Sequence, residues 1–188
     1  MIAGRAHPTA VVAAVLVFLI AAAPTPSRPL AKEFLTPDEI AKIQDAPEVD
    51  KRVKIYLDAA ALRLKSAEER LNGKESSPGE PLEFFTPEEM VEGYHRILRS
   101  IMYLLDEAVE RPKEPERIGK ALRNLKDRTE RDLKSLQILK KMAEEKQKEE
   151  LWNAVNQSLE IADGAHEGAE TGLTQFKENE KSKKKKDR

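Results

Sequence analysis

The sequence predicts an all-α fold, an elongated up-down four-helix bundle with a short capped leading helix. Charged residues make up 36% of the chain and aromatic residues only 5%, a balance that favours helices over sheets. Apolar residues recur at spacings of three and four along four long segments, which is the helical period. Short polar connections separate these segments, so consecutive helices are expected to be antiparallel neighbours with coiled-coil-like packing.

The N-terminal segment, residues 1–31, predicts a signal peptide and linker. Residues 10–23 are apolar and uncharged, a stretch that is short for a membrane-spanning helix but typical of a signal-peptide core. Small residues follow, so cleavage is expected within residues 22–31. The chain is therefore expected to be exported, to a periplasmic or extracellular location. The alternative is an uncleaved segment that anchors the protein in a membrane.

Two similar stretches, EFLTPDEI at residues 33–40 and EFFTPEEM at residues 83–90, each predict the start of a helix. Thr36 and Thr86 are placed as N-caps, each followed by a proline at the first helical position. Glu39 and Glu89 lie three residues after these threonines and complete a capping box in each copy. Beyond the motif the apolar spacings do not match, so two independent helix starts explain the likeness better than a duplicated domain.

The helices follow in order from these signals. The first copy opens a short helix over residues 37–45, and a longer helix follows over residues 47–71, which Gly73 is expected to end. The second copy opens a helix over residues 87–110. Residues 117–163 permit one long helix, but the apolar lines of its two halves differ by roughly 100° around the cylinder. A break near residues 145–149 brings both lines onto one core, within a single domain over residues 32–176.

The run LTPDEIAKIQDAPEVDKRVKIYLDAAALRL, residues 35–64, combines the short capped helix, the DKRVKIYL segment and an Ala/Leu-rich helix. In these features it resembles the opening of exported helical bacterial proteins of uncharacterised function. The resemblance covers about a sixth of the chain. It implies a helical, exported product and carries over no site residues.

Two carboxylate-x-x-histidine pairs, Glu92 with His95 and Asp163 with His166, invite comparison with di-iron bundles, which use such pairs on facing helices. Glu92 and His95 fall on the predicted solvent side of their helix, whereas metal ligands must project inward. The sequence therefore predicts no metal and no cofactor, and these four residues are the only metal candidates.

Three glycines, Gly164, Gly168 and Gly172, recur every fourth residue near the end of the last helix. Glycine weakens a helix interior, so this row predicts an end that frays. The alternative is a strip against which a partner helix docks closely.

The last segment, residues 177–188, is basic and is predicted to be a disordered tail. Its lysines could contact an anionic membrane or a wall polymer; they are Lys181, Lys183, Lys184, Lys185 and Lys186. The body before it, residues 32–176, carries more acidic than basic residues, which argues against a nucleic-acid partner.

Enzyme signatures are missing from the sequence, which has no phosphate-binding loop, no nucleophile elbow and no cysteine. The leading prediction is a non-enzymatic, exported helical interaction or structural module of the bacterial cell envelope that contacts another protein through its helix faces. One alternative is a bundle that binds a metal or a small apolar ligand in its core. Another is a signal-anchored envelope protein whose polybasic tail binds a surface.

Overall fold

The computed structural model describes residues 33–110 and 113–186, with side chains described as far as residue 176. This part of the chain contains five helices and no strand, which confirms the all-α class. The helices are α1 (Pro37–Asp45), α2 (Val49–Leu71), α3 (Pro87–Glu110), α4 (Pro115–Glu145) and α5 (Glu149–Lys186). The predicted signal peptide and the side chains of the tail lysines lie outside the described residues. Helix α5 continues into the segment for which the sequence predicts disorder.

Both predicted capping boxes are present at the starts of α1 and α3. The Thr36 hydroxyl accepts the Glu39 N–H at 3.2 Å, and the Glu39 carboxylate accepts the Thr36 N–H at 2.8 Å. In the second copy the corresponding distances between Thr86 and Glu89 are 3.1 and 2.8 Å. Each box satisfies backbone donors that a helix start otherwise leaves without partners.

Left-handed residues end both α2 and α4. Gly73 has a φ of +82°, as its position predicts, and Gln147 adopts a φ of +53° after α4. The N–H of Lys148 donates to the Ala143 carbonyl at 2.9 Å, which closes a Schellman turn. The helix therefore ends at the predicted break, and residues 117–163 form parts of two helices, α4 and α5.

Helices α2, α3, α4 and α5 surround one apolar core. The pairs of helices that pack together are not all those that the short connections predict. Helix α2 packs on α3 and α4, helix α5 packs on the same two helices, and α1 packs on α2. The expectation that consecutive helices are neighbours is correct for α2 with α3 and for α4 with α5. It is wrong for α3 and α4, which share few contacts. A short connection limits the separation of two helix ends, but it does not decide which apolar faces meet.

A buried arginine on α2 holds the first capped segment against the bundle. Arg63 is 1% exposed and donates to both carboxylate oxygens of Glu39, at 2.8 and 2.7 Å. It also donates to the carbonyl oxygens of Ala59 and Phe34, at 2.8 and 2.5 Å. The capping glutamate therefore has a second role as the partner of a buried charge, and it fixes α1 on α2.

The second capped segment is held by another arginine of α2, two helical turns further along. Arg70 donates to the carbonyl oxygens of Leu82 and Glu83, at 2.8 and 2.6 Å, and to that of Phe85. These bonds satisfy backbone groups just before the Thr86 cap. The two similar stretches therefore share a tertiary contact as well as a local capping box, since an arginine of α2 binds backbone carbonyl groups of each stretch.

A buried carboxylate joins the first turns of α2 and α4. Asp50 is 3% exposed and lies 2.8 Å from the Lys120 ammonium and 3.3 Å from the Arg117 guanidinium. The hydrogen bond from Lys120, followed by that from Arg117, lowers the pKa of Asp50 despite burial. This contact aligns the N-terminal ends of α2 and α4.

Candidate functional site

An open groove of about 610 Å³ lies between the C-terminal half of α3 and α5, over the first turns of α4. Its apolar floor is formed by Met102, Leu105, Leu122, Leu125, Ala165 and Ala169. Most of these side chains belong to the bundle core, so the groove is a place where that core approaches the surface. We refer to it as the docking groove.

The three regularly spaced glycines of α5 line the docking groove. A Cβ atom added at Gly164 or Gly168 would meet nothing within 4 Å, whereas one at Gly172 would lie 3.0 Å from Leu122 Cδ1. Helix α5 continues past all three glycines, so fraying at this row is not observed. Gly164 and Gly168 instead present bare backbone to an open groove, which permits another backbone to approach closely, whereas Gly172 packs against Leu122.

Acidic side chains border this apolar floor. Asp106 and Glu110 line the groove from α3, and Glu167 lines it from α5. Among the described residues, none of the three forms an ion pair. The mouth of the groove therefore carries negative charge that no neighbouring cation of the described chain neutralises, and it favours ligands with positive groups beside an apolar surface.

A buried polar pair crosses the bundle from α3 to α4. Tyr94 and Asp132 are 0% and 4% exposed, and neither the Tyr94 hydroxyl nor Asp132 Oδ2 meets hydrogen-bond geometry with a described partner. Burial raises the pKa of Asp132 to about 6, although Arg128, the Tyr94 hydroxyl and Arg131 act to lower it. Burial is also the main reason why the pKa of Tyr94 lies well above its usual value. This carboxyl group can therefore exchange a proton near neutral pH.

One turn before Asp132, Thr129 connects α4 to α5. Its hydroxyl donates to the Leu125 carbonyl at 2.9 Å and lies 3.2 Å from Nδ1 of His166. The same ring nitrogen lies 3.2 Å from the Lys126 carbonyl oxygen. His166 is half-buried, as its place on the apolar face predicts, and its contacts are those of an interhelical hydrogen bond.

The other metal candidates do not converge with His166. Glu92 and Asp163 are exposed, and His95 is half-buried with its Nδ1 atom lacking a hydrogen-bond partner. Within residues 33–110 and 113–176, no three histidine or acidic side chains are placed to share a metal ion. Helical spacing alone brought these residue pairs to notice, and it does not determine where the pairs lie relative to each other.

The buried charged residues are not predicted from the sequence. Arg63 falls between Ala60 and Ala67 on the apolar stripe of α2, and Asp132 follows Leu125 and Thr129 on that of α4. A charged residue at a core position of the apolar period is the signal that could have revealed both. In α4 this signal is obscured by the adjacent Leu133. Leu133 fits the same apolar stripe as Asp132, although it is only partly buried.

No helix within the described residues is long and apolar enough to span a membrane. Comparison of the chain with protein-family models, curated proteins and solved structures gives no significant match.

Proposed function

We propose that this protein is a non-enzymatic helical interaction module of the bacterial cell envelope. It binds a helix of a partner protein in the docking groove. The observation that carries the proposal is the groove itself, where bare glycine backbone, an apolar floor and an acidic border occur together. The apolar N-terminal segment of the sequence supports export, and the resemblance of residues 35–64 to exported helical proteins agrees with it.

The chemistry of the groove defines the partner as an amphipathic helix with basic residues beside its apolar face. Val109, which is 39% exposed, and the partly buried Met102 offer apolar surface to the partner, and removing that surface from water stabilises the complex. Gly164 and Gly168 let the helix axes approach, because no side chain stands between them. The acidic border selects lysine or arginine flanks, and its attraction is weakened by salt.

We further propose that the bundle has an up-down arrangement, with α2 and α4 running one way and α3 and α5 the other. Arg128 lies 3.1 Å from Asp58, and Arg117 lies 3.3 Å from Asp50, so α2 and α4 advance together. Lys148 lies 3.4 Å from Glu88, and Ser158 donates to the Val91 carbonyl at 3.3 Å, so these contacts advance together and support a parallel course for α3 and α5. This arrangement leaves the glycine face of α5 beside the end of α3.

The docking proposal is tested with two synthetic amphipathic helices, one of leucine and lysine and one of leucine and glutamate. Fluorescence anisotropy measures the affinity of each peptide for the purified chain. Gly168→Leu fills the groove and is expected to weaken binding of the lysine peptide by about tenfold or more, equivalent to about 1.4 kcal/mol. Asn153→Leu, on an exposed position of the same helix, is the matched control and should leave binding unchanged.

Charge and salt provide the second arm of this test. Replacing Asp106, Glu110 and Glu167 with their amides should weaken binding of the lysine peptide and flatten its dependence on salt. Equal affinity for both peptides, or equal effects of Gly168→Leu and Asn153→Leu, would contradict docking in this groove. Export is tested separately, by measuring the intact mass of the protein made in its own host; a full-length N-terminus would contradict a cleaved signal.

A further inference from the structure

A second concave surface lies between α2 and α3, away from the glycine row. It consists of two adjoining grooves of about 390 and 450 Å³ that share Arg52, Leu104 and Glu107. Val49, Tyr56, Leu104 and Ala108 give it an apolar floor, and the exposed ring of Tyr103 stands at one side. We refer to this surface as the arginine trough.

Arg52 occupies the point where the two grooves meet. Its Nε atom is buried and has no hydrogen-bond acceptor among the described residues. Its guanidinium also forms no ion pair there, although Arg63 and Arg117 of the same bundle are fully engaged with carboxylates. The guanidinium as a whole is only half-buried and lines both grooves, so its terminal nitrogens can donate to an oxygen from outside the chain.

The remaining charges of the trough favour an anionic ligand. Arg99 and Lys113 lie toward its two ends, and within the described chain neither takes part in an ion pair. Of the two acids that line it, Glu114 is bound to Arg117 at 3.1 Å, which leaves Glu107 as the only acid without a cation partner there. In the described chain, three cations of the trough and one acid therefore lack an ion-pair partner. The trough is a positively charged site on a body that is otherwise acidic.

We propose that the arginine trough binds an anionic amphiphile. The carboxylate, sulfate or phosphate head group accepts hydrogen bonds from the Arg52 guanidinium, which matches such groups with two parallel donors. The aliphatic chain of the ligand lies over Leu104 and Ala108 and covers this apolar surface. A fully hydrophilic anion would leave the same surface exposed to water. The site is distinct from the docking groove, and it does not depend on the proposed function.

Isothermal titration with decanoate below its micellar concentration tests the site, with decanol as the neutral ligand of equal chain length. Decanoate is expected to bind at least tenfold more tightly than decanol, because only the carboxylate offers Arg52 a negative charge and two acceptor oxygens. Arg52→Gln keeps an apolar stem and should weaken decanoate binding by about tenfold while leaving decanol unchanged. Arg123→Gln, at an exposed basic residue of α4 outside the trough, is the matched control and should change neither affinity.

Several outcomes would overturn this proposal. They are equal binding of decanoate and decanol, an unchanged decanoate affinity in Arg52→Gln, or an equal loss in Arg123→Gln. Binding of a poly-glutamate peptide without binding of decanoate would point to an acidic protein partner and would also overturn it. Should Arg52→Gln fail to fold, amide chemical shifts of the native protein decide. Decanoate must then shift residues of α2 and α3 around Leu104, and shifts confined to α4 and α5 would refute the site.

Discussion

Replacement of Asp132 by asparagine should remove a pH-dependent loss of stability from the bundle. The carboxyl group is 4% exposed, and burial raises its pKa from 3.8 to about 6 in the folded protein. The folded state therefore holds this proton more tightly than the unfolded state does. The corresponding stabilisation is fully present below the unfolded pKa and is lost as the pH rises through the folded pKa.

The magnitude follows from the size of the shift. A change of about two pKa units at 1.36 kcal/mol each corresponds to about 3 kcal/mol, lost mainly between pH 4 and pH 6. Asparagine has nearly the same shape as a neutral aspartic acid and cannot ionise. Asp132→Asn should therefore have nearly the stability of the natural protein at pH 4 and exceed it by about 3 kcal/mol at pH 8.

Urea unfolding followed by circular dichroism at a series of pH values measures this difference. Other carboxyl groups, such as that of Asp50, have lowered pKa values and stabilise the fold as the pH rises. Their contributions cancel when the variant is subtracted from the natural protein at each pH. Asp127→Asn, at an exposed position of the same helix, is the control. A stability difference for Asp132→Asn that does not change with pH would refute the reasoning.

Two further predictions concern the buried ion pair and the glycine row. Glu39→Gln leaves the buried Arg63 guanidinium without a countercharge and should lower the free energy of unfolding, measured with urea, by about 3 kcal/mol. The control Asp38→Asn, at an exposed ion pair, should lower it by at most about 0.5 kcal/mol. Similar losses in the two variants would show that other groups compensate the charge of Arg63. Gly168→Ala should raise the unfolding free energy by about 1 kcal/mol because its Cβ enters open space, and Gly172→Ala should gain less because its Cβ meets a leucine methyl group at 3.0 Å. Thermal unfolding compares the two alanine variants, and a larger gain at Gly172 would contradict the described packing.

Much of the local structure could be predicted because its causes are local. The capping boxes at Thr36 and Thr86 depend on residues three positions apart. The break before Glu149 follows from the different angular positions of two apolar lines around the helix axis. The row of glycines could be recognised as unusual, but its setting could not, since nothing nearby in the sequence indicates whether a groove or a neighbouring helix faces it.

The sequence by itself determined that this chain is helical, where α1 and α3 are capped, where the helix after residue 115 breaks, and which face of each helix is apolar. Only the tertiary structure decided that α3 lies beside α5 while hardly touching α4, that Glu39 meets Arg63, and that Asp132 is buried opposite Tyr94. The physical reason is that caps and periodicity act within a few residues, whereas apolar stripes are chemically alike and can pair in several ways. The way in which the helix faces pair determines which charged groups are buried and which grooves stay open. Both proposed binding sites depend on these features.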